Sequence, residues 1–467
     1  MKRGRYVLFL STAILAISIT YGQQPERTWL AGDSHVHSHW SPGYDRKEEP
    51  PEPIVGGDAR YSTPMNAQKA REFGLRWMVT TDHGGPNHSR LNLTHAYSEL
   101  TESRKTVPEI LQFYGMELNM PAMDHHTLII PHMPDEWKVL FNIESQFDVN
   151  DAWPPDPSRN SEAAAFRALA FMNNMRRLPL MFANHPSRSA TGIGKYGLDE
   201  PREFRNNNDL APDIYRGMEG APGHQASRDR GSYDNDGART LGGFDQMTAI
   251  VGGLWDSMLG EGRRFWIVAT SDSHRNFRDS EKPGNDFWPG QYHKTYVRAA
   301  HSYEDILDGL RLGRIFAVSG DLIDELEVTL ETGPTRAGLG ETLIAAKNAT
   351  VKVTIRFRDP EAKNANNEDP QVSRVDVIVG DVRGFVNDRN SDTNETTSVV
   401  ARLGPADWRQ DRTFKSATVT LPPVDHDIYI RVRGTNSDEL EPQMDQQGEN
   451  PWQDLWFYSN PVFVKVR

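Results

Sequence analysis

A chain of 467 residues is too long for one ordinary core and fits a barrel-sized unit of roughly 250 to 300 residues plus a smaller domain. It contains no cysteine, which excludes disulfides, thiolate metal ligands and a lipid-anchored lipoprotein and leaves stability to the core. A formal charge of -13 argues against non-specific nucleic-acid binding, which depends on neutralising phosphates with Lys and Arg, and favours a small substrate.

Lys2, Arg3 and Arg5 precede an apolar stretch over 7–19 that ends in Thr20-Tyr21-Gly22. This reads as a secretory signal peptide over 1–22, cleaved after Gly22. The run is shorter than the roughly 20 residues that span a bilayer, so the expected product is periplasmic or secreted, with no membrane span after signal removal.

Between 28 and 320 short apolar runs alternate with amphipathic stretches, as repeated strand-helix units do. Strands are expected over 29–36, 75–80, 110–115, 126–130, 178–183, 214–218, 265–269 and 295–298, near the count for a closed α/β barrel. Helices are expected over 64–73, 95–105, 161–176, 245–262 and 303–312. The first is marked by Ser62-Thr63-Pro64 at its start and Gly74 at its end. Two polar insertions, 134–160 and 186–243, are too long for plain connections, and loops of that length usually cover a site or are disordered. After Gly320 the pattern becomes alternating strands over 326–330, 350–356, 374–379, 416–421, 427–432 and 460–466, which predicts an all-β, sandwich-like domain over 321–467.

The chemistry-bearing residues recur at strand ends. Asp33-Ser34-His35-Val36-His37 closes the first run, and residues two apart on a strand face the same way, so His35 and His37 can share one metal. His83 follows 77–81, Glu117 follows 113–116, His185 follows 180–184, and Asp272 and His274 follow 267–271. In a parallel barrel those ends share one face, where active sites sit. In Asp124-His125-His126-Thr127 the histidines instead precede an apolar run; either can be the ligand, and His126 is chosen because it opens the strand.

His35-Val36-His37-Ser38, Thr81-Asp82-His83-Gly84, Glu117, Asn184-His185-Pro186 and Ser271-Asp272-Ser273-His274 together resemble the polymerase and histidinol phosphatase (PHP) family of metal-dependent phosphoesterases. The resemblance covers roughly 30–320. It implies an α/β fold with a distorted (βα)7 barrel of PHP type, so one of the eight strands lies outside it. It also implies a first metal on His35, His37, Glu117 and Asp272, a second on Glu117, His126 and His185, and a third held by His83 and His274. Family members supply one more third-site ligand shortly after the first motif; His39 and Asp45 compete for that place here.

Imidazole and carboxylate ligands without sulfur suit zinc, manganese or iron, two or three divalent ions in all. Glu117 is the natural bridge. A metal pair lowers the pKa of bound water toward about 7 and clamps the oxygens of an in-line displacement. No Gly-x-Ser-x-Gly elbow supports a serine-hydrolase reading. Arg188, three residues after His185, is a candidate catalytic residue that binds phosphate oxygens, against the reading of a surface arginine. Asp33, Asp82 and Asp124 are candidates to orient the histidines beside them, against ordinary turn roles. Glu219 and His224, in the strand end 217–224, are candidate substrate contacts. Trp452, Trp456, Phe457 and Tyr458 form either a sugar-binding platform or core. The expected function is phosphate mono- or diester hydrolysis on a small-molecule or oligomeric phosphoester. The alternatives are hydrolysis of a carboxylic ester, amide or lactone, and a non-catalytic, metal-stabilised binding protein.

Overall fold

The computed structural model describes Met1, residues 26–233 and residues 236–467. The expected signal peptide therefore lies outside the described residues. The chain is mixed α/β, with one large mixed sheet and further antiparallel sheets. In chain order the strands that position the site are β1 (Thr28–Val36), β2 (Trp77–Thr80), β3 (Leu111–Asn119), β4 (His125–Ile130), β5 (Leu180–Ala183), β6 (Tyr215–Ala221), β7 (Trp266–Ala269), β8 (His293–Ala299) and β9 (Ile315–Ser319). All eight expected strands are present, and β9 is an addition.

β7-β6-β5-β4-β3-β2-β1-β8-β9 is the order across this part of the sheet. Pairs β1/β2, β2/β3, β5/β6 and β6/β7 are parallel, whereas β4 runs antiparallel to both β3 and β5. The expectation of an all-parallel arrangement is thus corrected: β3 and β4 are joined by a short turn, and a strand entered that way returns antiparallel. No ladder joins β7 back to β1 among the described residues. A lone parallel bridge, Val36 to Ser273, lies at that seam. Two side chains tie β7 to other segments instead: Thr295 Oγ1 on β8 bonds the Ala269 N–H and carbonyl, and Asn460 bonds the Ile267 N–H and carbonyl.

Strands β2, β5 and β7 are buried on both faces, which is why they read as unbroken apolar runs. At Gly32 in β1 an added Cβ would stand 1.9 Å from the Trp77 ring, so the strand pair closes only with glycine there. Helices cover the sheet: α1 (Thr63–Glu72), α2 (Tyr97–Thr106), α3 (Glu136–Phe147), α4 (Glu162–Asn173), α5 (Pro201–Leu210), α6 (Leu254–Gly260) and α7 (Tyr303–Leu312). Ser62, Ser161 and Ser302 each accept a backbone N–H at a helix start. The helix expected over 245–262 is broken into two, because Gly252 takes φ +79° between them. The insertion 134–160 is no plain loop, since it holds α3, whose Leu140 and Ile143 are buried.

The C-terminal segment adds β10 (Glu325–Thr332), β11 (Thr335–Ala337), β12 (Thr342–Ala345), β13 (Lys352–Arg358), β14 (Arg374–Asp381), β15 (Ser398–Leu403), β16 (Arg409–Asp411), β17 (Phe414–Thr420), β18 (Ile428–Thr435), β19 (Trp456–Ser459) and β20 (Val462–Val466). One layer is the sheet β11-β10-β13-β17-β16. The other, built on β18, is continuous with the first unit because β19 pairs with β9. Leu326, Val328, Ile355 and Phe357 of one layer share a core with Val377, Ile430, Val432 and Val464 of the other. Trp452, Trp456, Phe457 and Tyr458 are buried, so they are core and not a platform. No helix among the described residues is long and apolar enough to cross a membrane.

Arg431 on β18 grips Asp256 on α6 with Nε–Oδ1 at 2.8 Å and a second bond of 2.6 Å, both side chains fully buried. Removing one partner strands the other charge in the interior. Arg431→Met should therefore destabilise the protein by about 3–5 kcal/mol, and adding Asp256→Asn should return part of that loss. Chemical denaturation of the two variants beside wild type measures it; equal stability of all three would contradict the pairing.

Candidate metal centre

Backbone geometry brings the expected ligands to one end of the curved sheet. His35 and His37 leave β1 on the same side, and their Nε2 atoms face each other at 2.9 Å. Asp272 Oδ1 stands 3.1 Å from each. Glu117, at the end of β3, places Oε1 3.4 Å from His35 and Oε2 3.4 Å from His37. Glu117 Oε2 is also 2.8 Å from His83 Nδ1, and Oε1 is 3.0 Å from His185 Nε2 and 3.3 Å from His125 Nδ1. Donor atoms about 2.1 Å from an ion stand roughly 3.0 Å apart in an octahedron and roughly 3.4 Å apart in a tetrahedron. The observed spacings, from 2.8 to 3.4 Å, fall in that range or within 0.2 Å of it. Glu117 Oε2, Asp272 Oδ1 and His125 Nδ1 are buried yet make no hydrogen bond.

Four groups of donors share residues at this end: His35, His37 and Asp272; His83, Glu117 and His125; His37, Asp58, His83 and His274; and His224, Asp272 and His274. These groups can hold metal ions. Seven of the eight expected ligands, His35, His37, His83, Glu117, His185, Asp272 and His274, are placed there or beside it, and the eighth is exchanged for a neighbour. His126 is corrected: its ring lies on the opposite face of β4, fully buried, with Nε2 2.9 Å from the Tyr215 hydroxyl and Nδ1 3.0 Å from the Asp124 carbonyl. Strand alternation sends its neighbour His125 to Glu117 instead. Because β4 runs antiparallel to its neighbours, its first residue, and not its last, reaches the ligand end.

Neither His39 nor Asp45 joins the cluster. His39 Nε2 bonds Glu99 Oε2 at 2.8 Å, and Asp45 accepts from the Lys47 N–H on a small hairpin. Asp58 takes that place, 3.4 Å from His274 Nε2 and 3.7 Å from His83 Nε2. Ser41 Oγ fixes it, donating to Asp58 Oδ2 at 3.0 Å while accepting the His83 N–H at 3.0 Å.

Glu219 is likewise no substrate contact. Buried within β6, it holds His35 Nδ1 at 2.7 Å, accepts the His185 N–H at 2.7 Å and accepts from the Thr270 hydroxyl. Its grip on Nδ1 leaves Nε2 of His35 turned to the centre. Asn184 Nδ2 does the same for Glu117, donating to Oε1 at 3.0 Å. Asp33, Asp82 and Asp124 bind backbone N–H groups of His35, Ser38 and His125, which are the turn roles, and Asp124 Oδ1 also lies 3.9 Å from the His125 Nδ1. His224 stands 2.7 Å from Asp272 Oδ2, with Asp286 on its other nitrogen.

His185, Asp272 and His224 all adopt positive φ, of 30°, 46° and 58°. Non-glycine residues held there are strained, and the strain is tolerated where surrounding structure fixes them. A cavity of about 320 Å³ opens over the centre, lined among others by Asp58, His83, Arg188, His224, Asp272 and Arg275. Arg188 lies at this mouth and pairs with Asp124 at 3.1 Å.

Burial opposes charge on Glu117 and Asp272, yet the surrounding histidines hold both carboxyls well below their usual range. Burial and the neighbouring His274 and His83 push His37 well below the ordinary imidazole value, keeping it neutral. His274 is the opposite case: burial disfavours its charge, but Asp58 and Asp272 raise it to about 9.

A ligand imidazole must be neutral, so at pH 7 an ion binding at His274 has to displace a proton. Metal uptake should release protons, and affinity should climb with pH up to about 9; calorimetry in buffers of differing ionisation enthalpy reads this directly. Uptake without proton release would contradict it. His125→Ala should lower bound metal while His126→Phe should not, and Asp58→Ala should lower it where His39→Ala and Asp45→Ala leave it intact. Elemental analysis of the purified variants is the check. In comparisons with known proteins no family model matches this chain and no curated protein matches it, so what it does rests on the chemistry of the centre.

Proposed function

We propose that this chain is an exported metal-dependent hydrolase of phosphate mono- or diesters, resembling the PHP phosphoesterases, with β1 to β7 as its distorted seven-stranded barrel. The observation that carries the reading is Glu117, one fully buried carboxylate whose Oε2 stands beside His37 and His83 and whose Oε1 stands beside His35, His125 and His185. The donor chemistry fits divalent zinc, manganese or iron, being imidazole and carboxylate only. Its buried, unbonded atoms on Glu117, Asp272 and His125 are the positions such ions would satisfy.

His35, His37, His83, Glu117, His125 and Asp272 would hold divalent ions, which would supply Lewis acidity and acidify water toward neutral pH. The chain does the rest. Glu219 and Asn184 fix the aim of His35 and Glu117. Arg188 and Arg275 bring guanidinium groups to the mouth, where the oxygens of a phosphate ester are bound. The Nε of Arg275 is buried without a hydrogen bond, which leaves it a donor to offer. Phosphate is the favoured substrate group because two cationic forks beside a metal nest match an anion better than a neutral carbonyl.

Full-length protein loaded with Mn²⁺ or Zn²⁺ should hydrolyse p-nitrophenyl phosphate or its bis-ester, and a chelator should abolish turnover. Glu117→Gln and Asp272→Ala should each lower the rate by at least ~100-fold and reduce bound metal. Cleavage of p-nitrophenyl acetate but not of phosphate esters would overturn the phosphoesterase reading, and a normal rate in Glu117→Gln would remove Glu117 as the shared ligand.

A further inference from the structure

A second cluster of ligand-type residues lies away from the histidines, where the loop between β18 and β19 meets the segment between β6 and α6. Asp445, Glu449 and Asp454 place carboxylate oxygens within 4.8 Å of one another. Asp445 and Asp454 are more than nine-tenths buried, at 2% and 8% exposure. Asp445 Oδ2 is satisfied by the Thr240 hydroxyl and by the Gly243 N–H at 3.2 Å, but Asp445 Oδ1 and Asp454 Oδ1 are buried with no hydrogen bond among the described residues. Buried polar atoms are nearly always paired, by protein, water or an ion.

Among the described residues the cation paired with them is Arg230, whose Nε is 3.6 Å from Asp445 Oδ2 and donates to Gln225 Oε1. One guanidinium against three ionised carboxylates leaves two negative charges uncompensated among the described residues. Without a ligand the arrangement resists ionisation: burial, with Asp445 and Glu449 beside it, pushes the Asp454 carboxyl up to about 8.

We propose that Asp445, Glu449 and Asp454 form a separate divalent-cation site of the calcium type, which pins the segment carrying His224 to the C-terminal loop. The residual charge is what one divalent ion neutralises. The donors are all oxygen, with no imidazole or thiol, a set that suits calcium or magnesium over zinc or manganese. Calcium takes carboxylate oxygens in a flexible shell at about 2.3–2.6 Å, whereas magnesium demands near-octahedral geometry at about 2.1 Å, so a cluster built from three carboxylates on loop segments suits calcium better. The tether is also visible in the backbone: Asp445 N–H bonds the Thr240 carbonyl, Gly242 N–H the Gln443 carbonyl and Gly448 N–H the Arg228 carbonyl.

The test uses full-length protein already loaded at the histidine centre. Calcium at about 1 mM should raise its melting temperature, with magnesium giving less. Terbium should bind with luminescence excited through the nearby Trp452 and Trp456. Asp454→Asn and Glu449→Gln, each isosteric, should weaken terbium binding about tenfold or more and abolish the calcium shift, whereas His35→Ala should keep both. The proposal is overturned if calcium leaves the wild-type melting temperature unchanged, if the response survives in both carboxylate variants, or if His35→Ala removes it.

Discussion

Burying Glu117 is the constraint from which the rest of the centre follows. A carboxylate taken wholly out of water costs several kcal/mol unless opposite charge and hydrogen bonds replace the solvent. Here the replacement comes from His35, His83, His125 and His185, drawn from four separate strand ends, with Asn184 donating to the same group. Those strands must therefore finish at one level, and the chain turns sharply just after several of them. Left-handed backbone at His185 and Asp272 is the local cost of aiming side chains inward from such turns.

Much of this was legible in the sequence because strand ends and ligand types coincide there. His35 and His37 declare a shared face by their spacing, and Glu117, His185 and Asp272 each follow an apolar run. His125 was set aside for a reason of register: His126 was chosen as the residue that opens the strand, but the strand starts one residue earlier, and alternation turns His125 and not His126 to the centre. Asp58 carries no periodic signal, since it sits in a polar turn brought to the centre by Ser41 and the Arg60 N–H bond to His274. Glu219 was legible as a site residue but not in its role, because only the structure shows that all seven positions of its strand are buried, where a charge is kept only when it is paired. The helix in the 134–160 insertion was masked by flanking Pro and Asp residues.

The boundary near 321 separates two patterns of sequence without separating two bodies. Strand β19 continues the sheet past β9, Asn460 bonds the backbone of β7, and the Asp256–Arg431 pair ties α6 to β18. Aromatic residues that resemble a binding platform in the sequence are the core of that junction. The C-terminal unit thus acts on the centre at a distance, by fixing the strand whose end carries Asp272 and the segment that carries His224.

β9 gives this junction a further meaning. Its five residues are all buried, and one side of it pairs with β8. The other side would present unpaired amides and carbonyls to any passing strand, a template for self-association. Trp456–Ser459 occupies that side. The C-terminal unit is therefore also an edge guard, and a chain ending before it would expose an apolar strand border to other copies of itself.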